Sequence, residues 1–309
     1  MNANISVTAP VQMAIERVKS LLFCPFDLGR WFTIGFCAWL AHLGDAGFHA
    51  NFNFPSEHPS GADFHEEMER AKEFVMGNLY WIVPLAVGLI VFFIALGVAL
   101  LWLNSRGKFM FLHCVASGKA EVTEPWRDFS RQGNSLFLFR LVLGVLAMIP
   151  MLPLVVMIVV EIYRMFARKS VDVADIAVTV VCALGLLAFG LVFAVIGKLL
   201  KDFVVPIMFL RRSGCVAAWR EFLRLLGDNL GNFVVYLLFQ IVLAMAIGMI
   251  ILFVILLTCC CAGCLLLIPY LGTVLLLPVL AFQRAYSLCY LAQYGREYNV
   301  FAVDAGRVM

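Results

Sequence analysis

Residues Leu79 to Leu103 read LYWIVPLAVGLIVFFIALGVALLWL, a run of twenty-five residues without a charge. At 1.5 Å per residue such a run makes a helix of about 37 Å, longer than the ~30 Å hydrocarbon core of a bilayer. Within lipid the backbone has no water to bond with, so a spanning segment must satisfy its own amides, which a helix does. The stretch therefore predicts a transmembrane helix, and the whole chain shares its character. Of 309 residues 63% are hydrophobic and 14% charged, and the mean hydropathy is +0.95. A soluble domain is about half apolar and a quarter charged.

Six stretches qualify as spans, roughly 28–43, 79–103, 136–160, 175–200, 232–258 and 265–284. The first is short, with a core from Trp31 to Leu43, and the last two are separated only by CCCAGC. Outside them, seventeen Lys and Arg fall on one side of the membrane and five on the other, with Arg140 inside the third span near its end. The positive-inside rule then places both chain ends in the cytoplasm and predicts a multi-pass protein of the cell's inner membrane. The minority cluster Arg164, Arg168 and Lys169 is discordant. Ahead of the first span, Val11, Ala14, Ile15, Val18, Leu21 and Leu22 recur at helical spacing opposite Gln12, Glu16, Arg17 and Lys19, which predicts an interfacial helix. A secretory signal fits this start poorly, and an organellar transit peptide is the competing reading.

The charged hexapeptide WRDFSR at Trp126–Arg131 returns as WREFLR at Trp219–Arg224. Both copies fall on the positive side, after an even-numbered span and before an odd-numbered one. Each is followed by a Gly/Asn turn and a Phe-rich entry into the next span. Pro206 precedes Arg212 by six residues, as Pro278 precedes Arg284. The predicted architecture is an all-α, polytopic membrane helix bundle of about six transmembrane helices with amphipathic interfacial helices. It forms one domain over 1–309, with a threefold internal repeat at 9–116, 122–212 and 215–295.

The net charge of +3 and the lack of a basic run interleaved with aromatics exclude a nucleic-acid footprint. No nucleotide, phosphate-loop or nucleophile-elbow motif appears, and nothing calls for a cofactor or a catalytic residue. Charges sit at span ends, as at Arg140, Glu161, Lys198, Lys201 and Arg284, with only Thr33, Thr179, Gln240 and Thr273 deeper. That argues against an ion-coupled transporter. Four of five histidines lie between His42 and Glu73 among many acids, but their spacing forms no compact metal set, so an enzyme is a minority reading. Cys259, Cys260, Cys261 and Cys264 crowd one outer hairpin without a pairing the sequence decides. A small-residue face, Ala183, Gly190, Ala194 and Gly197, predicts that the fourth span packs centrally.

The runs SRGKFMFL (Ser105–Leu112), GNSLFLFRL (Gly133–Leu141), IPYLGTVLLLPVLAF (Ile268–Phe282) and AYSLCYLAQYG (Ala285–Gly295) resemble those of uncharacterised bacterial six-span membrane proteins. More loosely, the layout is similar to the membrane domain attached to some glycerophosphoryl diester phosphodiesterases, whose catalytic domain this chain lacks. The resemblance implies a fold and no activity. The functional expectation is a non-enzymatic, lipid-binding or scaffolding membrane protein. Trp126, Arg127, Arg131, Trp219, Arg220 and Arg224 are its interface residues, and membrane lipids and proteins at the cytoplasmic face its partners. The alternative is a channel or uncoupled transporter for a lipid-like or small neutral solute.

Overall fold

The computed structural model describes residues 5–44, 76–168, 172–258, 261–266 and 268–305, and every regular element among them is helical. The order begins α1 (Ala9–Leu22), α2 (Leu28–His42), α3 (Leu79–Ser117), α4 (Thr123–Asp128) and α5 (Ser130–Arg168). Next comes α6 (Val173–Leu199), which runs through a π-helical turn (Leu200–Val204) into α7 (Val205–Arg211). The remaining helices are α8 (Cys215–Asp228), α9 (Leu230–Leu257), α10 (Cys261–Leu266), α11 (Pro269–Leu275), α12 (Leu277–Ala292) and α13 (Val300–Ala305).

Among the described residues, four segments are long and apolar enough to cross a membrane: Leu79–Ser117, Ser130–Met165, Val173–Arg211 and Leu230–Leu257. The structure thus departs from the six-span expectation at both weak points. Helix α2 has 15 residues, short of a span, and its apolar face is protein-facing, with Ile34, Cys37, Ala38, Leu40 and Ala41 buried. Its contact with α3 is backbone to backbone. A Cβ added at Gly107 would sit 2.5 Å from the Leu40 carbonyl carbon and 2.6 Å from the Ala41 nitrogen. The sixth stretch is broken into α11 and α12 at Leu276, each new helix opening with a proline, Pro269 and Pro278, in its first turn. With one element of 15 residues, others of 39 and 28, and a broken last one, the threefold repeat is not carried by the geometry.

Among the described residues, burial is concentrated in a base at one end of the molecule, with Cys182 lying outside it. The core takes the second half of α3 (Asn104–Ala116), the segment Leu199–Phe209, the start of α9 (Phe233, Tyr236, Gln240), most of α12, and the inner faces of α1, α2 and α8. Beyond this base the long helices expose apolar side chains around most of their circumference. Leu85, Phe92, Ile149, Leu187 and Phe253 are all more than half exposed. A buried base carrying bare apolar shafts is what lipid-facing helices look like without their lipid. Helices α5 and α6 pair as a hairpin, in which Gly185 and Gly190 lie against Leu154 and Met151. Only Cys182 and Leu199 of α6 are buried, so the expected central position of this helix is not found.

Helix ends in the base are closed by side chains. Helix α3 stops at Gly118, whose φ of +73° suits glycine and whose N–H bonds the Cys114 carbonyl. Its remaining carbonyls meet two guanidiniums: Arg17 of α1 donates to Val115 and Ala116, and Arg30 of α2 to Gly118. The buried face of α1 packs on α12, where Tyr286 donates to the Val7 carbonyl and Gln293 exchanges two bonds with the Ser6 backbone.

Candidate functional site

The break between α6 and α7 has a chemical cause. Pro206 has no N–H to give the Asp202 carbonyl, so the helix widens by one residue and the Val205 N–H reaches back to Leu200 instead. The widened turn sets Asp202 inward, 5% exposed. Its carboxylate accepts from Lys198 at 2.9 Å and from the Tyr236 hydroxyl at 3.0 Å. Gln240 donates to the same hydroxyl at 2.9 Å, and the buried Arg284 donates to the Lys201 carbonyl at 2.6 Å.

Beside this network lies a cavity of about 340 Å³ lined by Lys108, Arg140, Lys198 and Lys201 together with Leu136, Ala194, Gly197, Leu200 and Val205. The four cations come from three long helices, each placed where its helix passes from exposed apolar shaft to buried base. Arg140 donates to the Asn104 side-chain oxygen, and the Asn104 amide donates to the Ala41 and Leu43 carbonyls, so the end of α2 is tied into the wall. Lys201 lies 3.0 Å from His42 Nε2, and His42 Nδ1 is 2.8 Å from the Ala38 carbonyl. An ammonium can only donate, so Nε2 is the bare nitrogen and Nδ1 carries the proton. Room for the cavity comes from small residues. A Cβ built at Gly197 would meet nothing within 4 Å. The cations and apolar walls together suit an amphiphile with an anionic head.

The hexapeptide residues have a different place. Phe129 and Phe222, the shared phenylalanines, are buried; Phe129 stacks on Phe209 at 4.6 Å and Phe222 on Phe203 at 5.4 Å. Trp126 and Trp102 hold the Arg106 guanidinium between their rings at 4.9 and 4.5 Å, and Trp219 rests against Phe139 and Phe222. Arg127, Arg131, Arg220 and Arg224 are exposed and line no part of the cationic cavity. The motif is therefore first a way of docking α4 and α8 into the base. The discordant cluster is partly neutralised, Arg164 by Glu161 at 3.0 Å and Arg168 by Asp175 at 3.9 Å.

The histidine-rich stretch beyond Gly44 and the cysteines at 259 and 260 lie outside the described residues. Among the described residues no group of three metal-ligating side chains forms. Sequence reasoning treated Lys198, Lys201 and Arg140 as separate span-end charges and passed over Asp202. The available signal was an acid four residues before Pro206 at the end of a long apolar run. No curated protein and no solved structure matches the chain. Residues 5–295 match a family described as a family of unknown function (DUF7544), and the chain belongs to that family.

Proposed function

We propose that the protein is a lipid-binding component of the inner membrane, without catalysis, and that it holds the anionic headgroup of a lipid in the cavity between α3, α5 and α6. The observation that carries the reading is the convergence of Lys108, Arg140, Lys198 and Lys201 on one space at the foot of lipid-facing helices. A basic side chain near an anionic leaflet contributes about 1 kcal/mol; with Lys198 held by Asp202, the other three acting on one headgroup supply up to ~3 kcal/mol, roughly two orders of magnitude in affinity. The exposed Ala194 in the lining favours a lipid over a free anion, because it continues the apolar surface of α6 along which acyl chains lie. In this reading the base, with its excess of Lys and Arg, faces the cytoplasm, and the exposed Arg127, Arg131, Arg220 and Arg224 attract the same leaflet from outside the cavity.

The test fills the cavity without touching a charge. Gly197→Leu places its Cβ in open space at the edge of the cavity, so the fold is expected to survive. Native mass spectrometry of protein extracted from membranes is expected to show anionic lipid retained severalfold less by the variant and zwitterionic lipid unchanged. Equal anionic lipid on both proteins, with equal stability, refutes the cavity reading and leaves transport of a lipid-like or small neutral solute as the one to pursue by flux assay.

A further inference from the structure

Asp202 stands behind the wall of the cationic cavity rather than in it. Lys198 lines the cavity, and its ammonium reaches the Asp202 carboxylate at 2.9 Å, while Asp202 is no part of the lining. The two differ in setting, with the Lys198 side chain 42% exposed and that of Asp202 8%. A ligand in the cavity therefore meets Asp202 only through Lys198.

The acid can release that lysine without being left bare. The Tyr236 hydroxyl donates to it at 3.0 Å and is itself braced by the Gln240 amide at 2.9 Å. Arg284, 5% exposed, supplies a second positive charge nearby: burial lowers its guanidinium to about 10, and the Asp202 carboxylate opposes that fall. Lysine is the mobile member of the set, a compact charge on a flexible four-carbon stem. Its place four residues before Asp202, on a helix widened at Leu200–Val204, lets the ammonium turn from the acid to the cavity while the backbone stays where it is.

That exchange sets a threshold. Taking Lys198 from Asp202 costs an ion pair, so an anion gains from it only by offering a stronger acceptor than a carboxylate. A phosphodiester headgroup carries a single negative charge, as the carboxylate does, and for it the exchange is even. A phosphomonoester carries a charge of about −1.5 to −2 near neutral pH on three acceptor oxygens, and for it the exchange is favourable. Lys108, Arg140 and Lys201 line the cavity for either headgroup, and Lys198 joins them for the phosphomonoester alone.

We infer that the lipid held in the cavity is a phosphomonoester, and that Asp202 selects it by holding Lys198 against headgroups of lower charge. This selection rests on the lipid cavity proposed above and adds the chemical class of its ligand. Asp202 is a positioning residue, since it touches Lys198 and not the lipid. A water-soluble phosphomonoester presents the same head, and only the acyl chains separate the two sources.

The full chain in neutral detergent is titrated with dioctanoyl phosphatidic acid and dioctanoyl phosphatidylglycerol, and occupancy is read by native mass spectrometry. Phosphatidic acid is expected to bind about tenfold tighter, the worth of one charge-assisted contact. Lys198→Gln, at a side chain already half in solvent, is expected to remove that advantage while leaving phosphatidylglycerol within about twofold of wild type. Asp202→Asn is expected to tighten phosphatidylglycerol about tenfold, and Lys198→Gln added to it to cancel the gain. Mere loss of a negative charge would tighten the lipid with or without Lys198. If Asp202→Asn does not fold, the wild type and Lys198→Gln decide alone. Glycerol 3-phosphate, the same head without chains, is expected to bind at least about tenfold more weakly than phosphatidic acid, and equal binding assigns the cavity to a water-borne ligand and overturns the inference. Three results overturn the inference and leave the lipid cavity standing: equal wild-type affinity for the two lipids, equal weakening of both by Lys198→Gln, or a gain from Asp202→Asn that survives in the double variant. Saturable binding of neither lipid removes the cavity reading itself, and the inference with it.

Discussion

Three glycines at helix surfaces give a graded test of how the base is held together. At Gly107 the added methyl of an alanine meets backbone, 2.5 Å from the Leu40 carbonyl carbon, whereas ordinary contact begins at 3.4 Å. Helix α2 or α3 must therefore retreat by about 0.9 Å, and α2 is tied by Asn104 to Ala41 and Leu43 and by Arg30 to Gly118. Overpacking of this kind costs about 1–3 kcal/mol, with backbone against backbone at the upper end, while exchanging glycine for alanine inside a helix returns about 1 kcal/mol. The net expectation for Gly107→Ala is a loss of about 2 kcal/mol. At Gly197 the methyl meets nothing, so Gly197→Ala is expected to gain up to about 1 kcal/mol. Gly35→Ala falls between them, since its methyl meets the Val274 Cγ2 at 2.8 Å and a side chain yields more readily than a backbone. Reversible unfolding in mixed micelles with increasing dodecyl sulfate ranks the three. If Gly107→Ala proves as stable as Gly197→Ala, the close approach of α2 and α3 is wrong and so is the assignment of α2 to the base.

Tyr236→Phe removes the hydroxyl that bonds Asp202 and Gln240; with a bond to a charged group worth about 1.5–3 kcal/mol, a loss of roughly 3 kcal/mol is expected in the same unfolding assay. Cys114 and Cys215, which topology alone would choose as reporters of the inner side, are both buried, and burial pushes the Cys215 thiol up to about 12. Since the thiolate is the reactive form, Cys215 is expected to resist an impermeant maleimide at pH 8 on either side of the membrane, in intact cells and inverted vesicles alike. Exposed Cys24, with the cysteines at 259–264 replaced by serine, is expected to be labelled in inverted vesicles and spared in intact cells; the opposite pattern inverts the proposed orientation. Replacing Arg127, Arg131, Arg220 and Arg224 together by Gln is expected to leave unfolding within about 0.5 kcal/mol of wild type, because all four are exposed, while lowering adsorption of anionic vesicles to the solubilised protein.

The long shafts were legible in the sequence because a charge-free run of twenty or more residues has few other uses. Helix α2 was not, because hydropathy records that residues avoid water and not whether lipid or protein replaces it; Ile34, Cys37 and Ala41 avoid it against α3 and α11. The break at Leu276 had its signal in Pro269 and Pro278, which the length of the apolar run concealed. The hexapeptide pair is visible through its tryptophans and arginines, while the structural content lies in Phe129 and Phe222, indistinguishable as letters from the other twenty-five phenylalanines. The cationic cavity joins basic residues up to 93 positions apart, from Lys108 to Lys201, and no local pattern encodes such a meeting. Asp202 and the Pro206 that displaces it were readable together, since a proline four residues after an acid in an apolar helix predicts a register change at that acid.

The clasp between Ser6 and Gln293 and between Val7 and Tyr286 bears on how the protein is made. Helix α1 is synthesised before α12, and the surface that covers Ala14, Val18 and Leu21 begins at Leu277, 255 residues beyond the end of α1 at Leu22. During translation, at about 5–20 residues per second, α1 must wait tens of seconds at the membrane with its apolar face uncovered. The four shafts can enter the bilayer one by one in that interval, whereas the base closes only when α12 arrives. On the proposed membrane reading, closure of the base follows insertion of the shafts, and a nascent chain stalled before Leu277 is expected to leave the apolar face of α1 uncovered and open to proteolysis.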